Sequence, residues 1–247
     1  MKKIVTVAVC GAQHRIGTTT QALQMVEYLQ MMGFGAAYVE LAKQGYVYQM
    51  RKLYQDIVVK DDCVWYERIP FYRGVVGNHD AEEYDFLVKD YGSMDQESFN
   101  QVSYLEQDIH IICGGVKPNE IFEVNEILKK SEYSMAKFIF SFVPADQREG
   151  ILELMTNRAQ DTFFANYNPD PFSYDPTMNR NYRMIFDSYL TGASGNLEKN
   201  SFWFRMKQKF FTMVYKIRLL KQNRWIDLGK MILYTVLVVF ITCHVLR

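Results

Sequence analysis

Apolar and polar positions divide the first two thirds of the chain into an alternating series of strands and helices. Residues 3–10 (KIVTVAVC) are β-branched and apolar up to Gly11, which predicts a strand buried on both faces. Residues 18–32 carry Ala22, Leu23, Val26, Leu29 and Met32 at helical spacing, and Gly33 supplies a stop. Further strand-like runs lie at 35–41, 84–89, 108–113, 137–143 and 162–167. Helical runs lie between Pro118 and Lys130 and over 146–158. Strands alternating with helices predict βαβ units, right-handed crossovers and an α/β fold with a mainly parallel sheet flanked by helices.

The pattern changes after residue 165. Residues 166–196 hold three of the six prolines and tyrosines at 167, 174, 182 and 189, and read as an extended, partly irregular stretch that packs over the domain. In 201–222, Trp203, Met206, Phe210, Met213, Ile217 and Leu220 recur at spacings of three and four, which places one apolar stripe on a helix. Residues 231–243 are apolar apart from two threonines. The expected organisation is a domain over 1–165, an extended segment over 166–200, a basic amphipathic helix over 201–224 and a transmembrane tail over 225–247.

Charge sharpens this division. The chain balances 28 Lys and Arg against 28 Asp and Glu, but residues 199–247 hold ten of the basic residues and a single acid, Asp227. The remaining 198 residues are therefore strongly acidic, which speaks against nucleic acid as a partner of the body. Lys216, Arg218, Lys221, Arg224 and Lys230 precede the terminal apolar run, and Trp225 stands where an interfacial aromatic belongs. By the positive-inside rule the expectation is a single-pass C-terminal anchor with the large domain in the cytoplasm. The 201–222 helix would lie on anionic lipid, so membrane lipid is the expected partner of 201–247. Packing of both segments into a soluble core or a dimer is the alternative. The four cysteines show no CxxC spacing and read as reduced, buried thiols, and the histidines at 79, 110 and 244 have no metal-ligand spacing.

The segment carrying chemistry is the turn between the first strand and first helix: Gly11, Ala12, Gln13, His14, Arg15, Ile16, Gly17, Thr18, Thr19 and Thr20. Such a turn aims free backbone N–H groups and the helix dipole at one point, which suits a phosphate. Gly17 permits close backbone approach, and a hydroxyl at Thr19 suits Mg²⁺. The pattern GxxxxGK[ST] is not met, since Thr18 stands where lysine belongs, and the turn alone is equally compatible with a purely structural role.

The run from Gln13 to Thr20 resembles the deviant Walker A loop of the ParA/MinD-type ATPases, KGGxGKTT. The apolar residue, the glycine and two threonines are kept; Gln13 replaces the signature lysine, Thr18 the phosphate-cradling one, and His14 and Arg15 the glycines. Tyr38-Val39-Glu40 resembles the family's second strand ending in an acid, and Tyr84-Asp85-Phe86-Leu87-Val88-Lys89-Asp90-Tyr91-Gly92 its YDxxxxDxPxG strand, with Asp90 in the Walker B position. The resemblance covers residues 1–165 and implies a P-loop NTPase fold with ATP and Mg²⁺ as cofactors. It implies nucleotide binding by Gly11, Gln13, His14, Arg15, Ile16, Gly17, Thr18, Thr19 and Thr20, and a metal site at Thr19 and Asp90.

Phosphoryl transfer needs cations against its developing charge, and both lysines are gone. The expectation is weak nucleotide binding and at most a weak ATPase, with Asp90, Arg15 and Glu40 as catalytic candidates. The implied role is that of a membrane-tethered, bacterial-type protein that positions or assembles a membrane machine of pilus or secretion type together with a protein partner, as TadZ-like proteins do. The alternatives are a nucleotide-free pseudo-ATPase scaffold and an active ATPase or kinase that uses Arg15 for charge. Family members form nucleotide-sandwich homodimers, a mode that loss of the crossing lysine puts in doubt.

Overall fold

A computed structural model describes residues 3–190 apart from Gln44, Asp56 and Asp61. The chain runs β1 (Val5–Gly11), α1 (Thr18–Met31), β2 (Ala36–Glu40), α2 (Tyr46–Leu53), β3 (Val58–Lys60), β4 (Cys63–Tyr66), β5 (Ile69–Arg73), α3 (Asn78–Ala81) and β6 (Phe86–Ser93). It continues α4 (Gln101–Leu105), β7 (Ile109–Gly114), α5 (Pro118–Leu128), β8 (Lys137–Ser141), α6 (Arg148–Met155), β9 (Thr162–Ala165) and α7 (Asn179–Leu190), with short 3-10 turns between.

The nine described strands form one sheet in the order β3-β4-β5-β2-β6-β1-β7-β8-β9. From β5 to β9 every neighbouring pair is parallel. This is the α/β, mainly parallel sheet flanked by helices that the periodicity predicts, and β1 lies at its centre because its run is apolar on both faces. The chain winds from β1 toward β2 and β6 on one side and toward β7 and β8 on the other. The carboxyl end of β1 is therefore a topological switch point, where open α/β sheets leave a crevice.

Residues 58–73 add two strands in antiparallel pairing at one edge that the sequence pattern does not reveal. The β4–β5 hairpin turns at Glu67 and Arg68, with φ of 45° and 77°. Two positive φ values are the signature of a tight hairpin turn, but neither residue is the Asn or Gly that normally marks it. Pro70 inside β5, opposite Trp65, further obscures the strand.

Within 166–200, where the composition predicts an extended, irregular segment, Asn179–Leu190 instead form α7. Tyr182, Ile185, Phe186 and Leu190 are buried on one side of it, a helical spacing masked by the surrounding Asn, Ser and Pro. Tyr182 and Phe186 place their rings 5.5 and 6.2 Å from Tyr28 of α1. Ahead of α7, buried Gln24 donates to the carbonyls of Pro171 and Ser173 and accepts from the Asp175 N–H, so α1 holds this segment through three hydrogen bonds.

The expected transmembrane helix and single-pass anchor are corrected. No helix among the described residues is long and apolar enough to cross a membrane. The longest of them, α1 with 14 residues, reaches about 21 Å at roughly 1.5 Å per residue, short of a hydrocarbon core of roughly 30 Å. Residues 201–247, to which the amphipathic helix and the span were assigned, lie outside the described residues.

Candidate functional site

The site is built on the ends of three adjacent strands. Gly11 closes β1 and is pinned on both sides: its carbonyl accepts from the Met94 N–H at 2.8 Å, and the next N–H, of Ala12, donates to the Cys113 carbonyl at 2.9 Å. The loop then returns over itself. A Cβ on Gly11 would lie 2.5 Å from the Gln13 carbonyl oxygen and 2.6 Å from Thr18 Oγ1, so only glycine fits beneath the loop. Ile16 is buried in the core and anchors the loop from below. Arg15 and Gly17 both take left-handed backbone conformations, with φ of 61° and 90°.

Gly17 caps α1 without a side-chain hydrogen bond, and the first turn holds no acid. The positive end of α1 thus faces the loop without a capping side chain. Beside it lies Ser141, at the end of β8. Its Oγ is 3.3 Å from where a Cβ on Gly17 would sit. It is 3% exposed and has no hydrogen-bond partner. A buried hydroxyl left unpaired is costly, and a ligand oxygen at the helix end would satisfy it.

Asp90 stands behind Thr19 in β6. Its Oδ2 accepts from Thr19 Oγ1 at 2.7 Å and from the Tyr38 hydroxyl at 2.8 Å, and its Oδ1 accepts from the Gly92 N–H at 2.9 Å. Burial pushes the Asp90 carboxyl above its ordinary range, and these three donors work against that rise. Both Asp90 oxygens are engaged, so the acid holds the loop rather than opening directly onto the cavity. Thr19 gives its proton to Asp90 and keeps its oxygen lone pairs for another partner.

The remaining sequence-predicted residues separate. Gln13 Oε1 accepts from Asn119 Nδ2 at 2.7 Å, which ties the residue at the signature-lysine position to α5 of its own chain. His14 Nδ1 lies 2.9 Å from Asp95 Oδ2. Thr18, at the cradling-lysine position, is buried with its hydroxyl turned toward Gly11. Thr20 lines a cavity of about 600 Å³ together with His14, Arg15, Gly17, Thr19 and Phe142. Glu40 does not reach it. One of its oxygens accepts from the Tyr46 N–H and the other from the Val47 N–H at 3.1 Å, which makes it the cap of α2. Burial raises its carboxyl, and the N–H groups of Val47 and Tyr46 oppose the rise.

No protein-family model matches the sequence, and no curated protein matches it. Solved structures do resemble the fold. A putative plasmid partition protein from Borrelia burgdorferi B31, bound to AMPPNP, aligns with a TM-score of 0.53 at 11% identity over 77% of this chain and 100% of that one. The MinC:MinD cell division protein complex of Aquifex aeolicus gives a TM-score of 0.51 at 11% identity, over 72% of this chain and 86% of that one. The MinD cell division protein of Aquifex aeolicus alone also gives 0.51 at 11% identity, over 67% and 83%.

The chain has the ParA/MinD-type P-loop fold.

Within that fold the loop departs from the family pattern where the lysines would be. The residues at the site that sequence reasoning missed are Ser141, Phe142, Asp95, Tyr38 and Asn119. Ser141 and Phe142 close a strand-like run, which gives them a place in the fold but no chemical motif. Asp95 follows the strand that ends near Gly92, and only the pairing of β6 with β1 brings it to His14.

Proposed function

We propose that the Gly11–Thr20 loop binds the polyphosphate part of a nucleotide, and that the protein is a ParA/MinD-like component that positions or assembles a macromolecular machine with a protein partner. The observation that carries this reading is the pairing of an uncapped α1 N-terminus with the buried, unpartnered Ser141 hydroxyl beside it. Anion binding at that point satisfies both at once. Thr19, backed by Asp90, is the residue that would hold Mg²⁺ through its hydroxyl oxygen, with Asp90 supplying negative charge from behind. The ion, when bound, offsets phosphate charge; the chain itself supplies backbone donors, the hydroxyls of Thr19 and Ser141, and the Arg15 guanidinium.

Binding is favoured over chemistry because the loop brings no lysine, and the residue at the cradling position, Thr18, lines the cavity with a neutral side chain whose hydroxyl lies toward Gly11. Arg15 is the candidate for the missing charge, since it lines the cavity from within the loop. Calorimetry on the full chain with ATP and Mg²⁺ tests the reading. We expect weak binding, turnover slow or nil, and loss of most affinity in Arg15→Ala and in Ser141→Val. No heat of binding at millimolar nucleotide would sink the proposal. Turnover abolished by Arg15→Ala would instead favour an active enzyme that uses this arginine.

A further inference from the structure

A polyphosphate in this cavity needs positive charge close by, and two basic side chains line it, Arg15 and His14. His14 is distinguished by what holds it. Its Nδ1 is 2.9 Å from Asp95 Oδ2, and its backbone N–H also bonds the Asp95 carboxylate. Asp95 belongs to the segment after β6 that is fastened to the end of β1 by the Met94 N–H on the Gly11 carbonyl. Two loops locked to the central strands therefore set the imidazole. With Nδ1 engaged, Nε2 is the ring nitrogen left for an anion in the cavity.

The Asp95 carboxyl is suited to the task. Burial acts to raise it, but the hydrogen bonds and charge of His14 oppose that, and the carboxyl is held below the ordinary carboxylate range. An acid bound to Nδ1 fixes the ring and its tautomer, which leaves Nε2 as the nitrogen that meets an anion in the cavity. Asp95 bonds the ring, Arg15 follows it in the loop, and Gln96, Ser93 and the threonines of the cavity wall are neutral. Across the loop, at α5, Asn119 is spent on Gln13, and Lys117 is paired with Glu120 at 3.2 Å. Asp90 is buried behind Thr19.

We infer that His14, oriented by Asp95, replaces the absent lysine as a protonatable counter-charge, so that a polyphosphate bound at the Gly11–Thr20 loop takes up a proton onto His14. This rests on the phosphate-binding reading above and adds a regulation to it: the site binds its anion in acid and releases it as pH rises. The sign follows from charge. Imidazolium attracts the anion and neutral imidazole does not, so affinity is lost as the ring deprotonates. Because the His14 side chain is 63% exposed, added salt weakens the effect.

The test is calorimetric titration of the full chain with inorganic pyrophosphate at about pH 6 and about pH 8.5, either side of the range where imidazoles titrate. Wild type is compared with His14→Gln, so that the titration of pyrophosphate itself cancels. Wild type should bind roughly tenfold tighter than His14→Gln at the lower pH, a typical worth of one charge-assisted hydrogen bond, and no tighter at the higher. Asp95→Asn should shrink that advantage, and His14→Lys should keep the same advantage over His14→Gln at both pH values. Circular dichroism checks that each variant is folded. Equal affinity of wild type and His14→Gln at both pH values, or an advantage that does not change with pH, overturns the inference while leaving the phosphate site intact. Absence of pyrophosphate binding by wild type at either pH overturns the phosphate site, and this inference with it.

Discussion

Glu40 and Asp90 form a natural comparison. They are direct register partners on adjacent parallel strands, each 1% exposed, and burial raises both carboxyls. Their roles diverge through their donors. Glu40 receives two backbone N–H groups from the first turn of α2, and its charge is spent on starting a helix. Asp90 receives a hydroxyl from the Gly11–Thr20 loop, a hydroxyl from β2 and the N–H of Gly92. The first acid stabilises an element away from the cavity, and the second fixes the loop that forms it. Two carboxylates in one register are thus separated by a single question: whether the donors come from the first turn of a helix or from the site.

Substitutions can break this distinction. Asp90→Ala leaves the buried Tyr38 hydroxyl, the Thr19 hydroxyl and the Gly92 N–H without their acceptor and should cost about 3 kcal/mol in urea unfolding. It should also weaken pyrophosphate binding, because Thr19 loses its tether. Glu40→Ala should cost about 2 kcal/mol through loss of the α2 cap and leave pyrophosphate affinity unchanged. Equal loss of affinity in both variants would show that the two acids are not separate in function. Tyr38→Phe removes one of two donors on Asp90 Oδ2 and should cost about 1 kcal/mol, with a smaller loss of affinity than Asp90→Ala.

The smallest effect concerns pH. A carboxyl raised in the folded state binds its proton more tightly than in the unfolded chain. The stability it contributes is therefore full below the ordinary carboxylate value of about 4 and is lost as pH rises through the raised folded value. Glu40 follows this sign. Asp95 and Asp108 follow the opposite one: burial acts to raise them, but hydrogen bonds, from His14 in the first case and from Thr6 and Lys3 in the second, hold them low, so their contribution is lost as pH falls. Unfolding measured from about pH 2 to pH 7 should show a shallower decline on the rising side in Glu40→Gln and a shallower acid loss in Asp108→Asn. A Glu40→Gln profile parallel to wild type would mean that the buried cap does not titrate in this range.

The legible part of the fold is the part whose signal is local. The run KIVTVAVC, the 18–32 helix spacing and the strand-helix alternation each depend on neighbouring residues, and the periodicity is enough to read a parallel sheet from them. The hairpin at 58–73 and helix α7 are hidden for local reasons too. Glu67 and Arg68 occupy a turn that usually advertises itself with Asn or Gly, and the spacing of Tyr182, Ile185 and Phe186 is submerged in turn-rich composition. The membrane span expected over 225–247 lies outside the described residues, and no helix among those described is long and apolar enough to cross a membrane.

By itself the sequence determined that a glycine-bearing turn joins a buried strand to an amphipathic helix, and that this turn carries no lysine. These are properties of contiguous residues. Tertiary structure alone decided that Ser141 stands unpaired beside Gly17, that Asp95 meets His14, and that Glu40 serves α2 while Asp90 serves the loop. The physical reason is that each of these depends on a distance between strand ends far apart in the chain. Strand order and register set those distances, and the residues that line a crevice at a switch point carry no sign of one another in the order in which they are written.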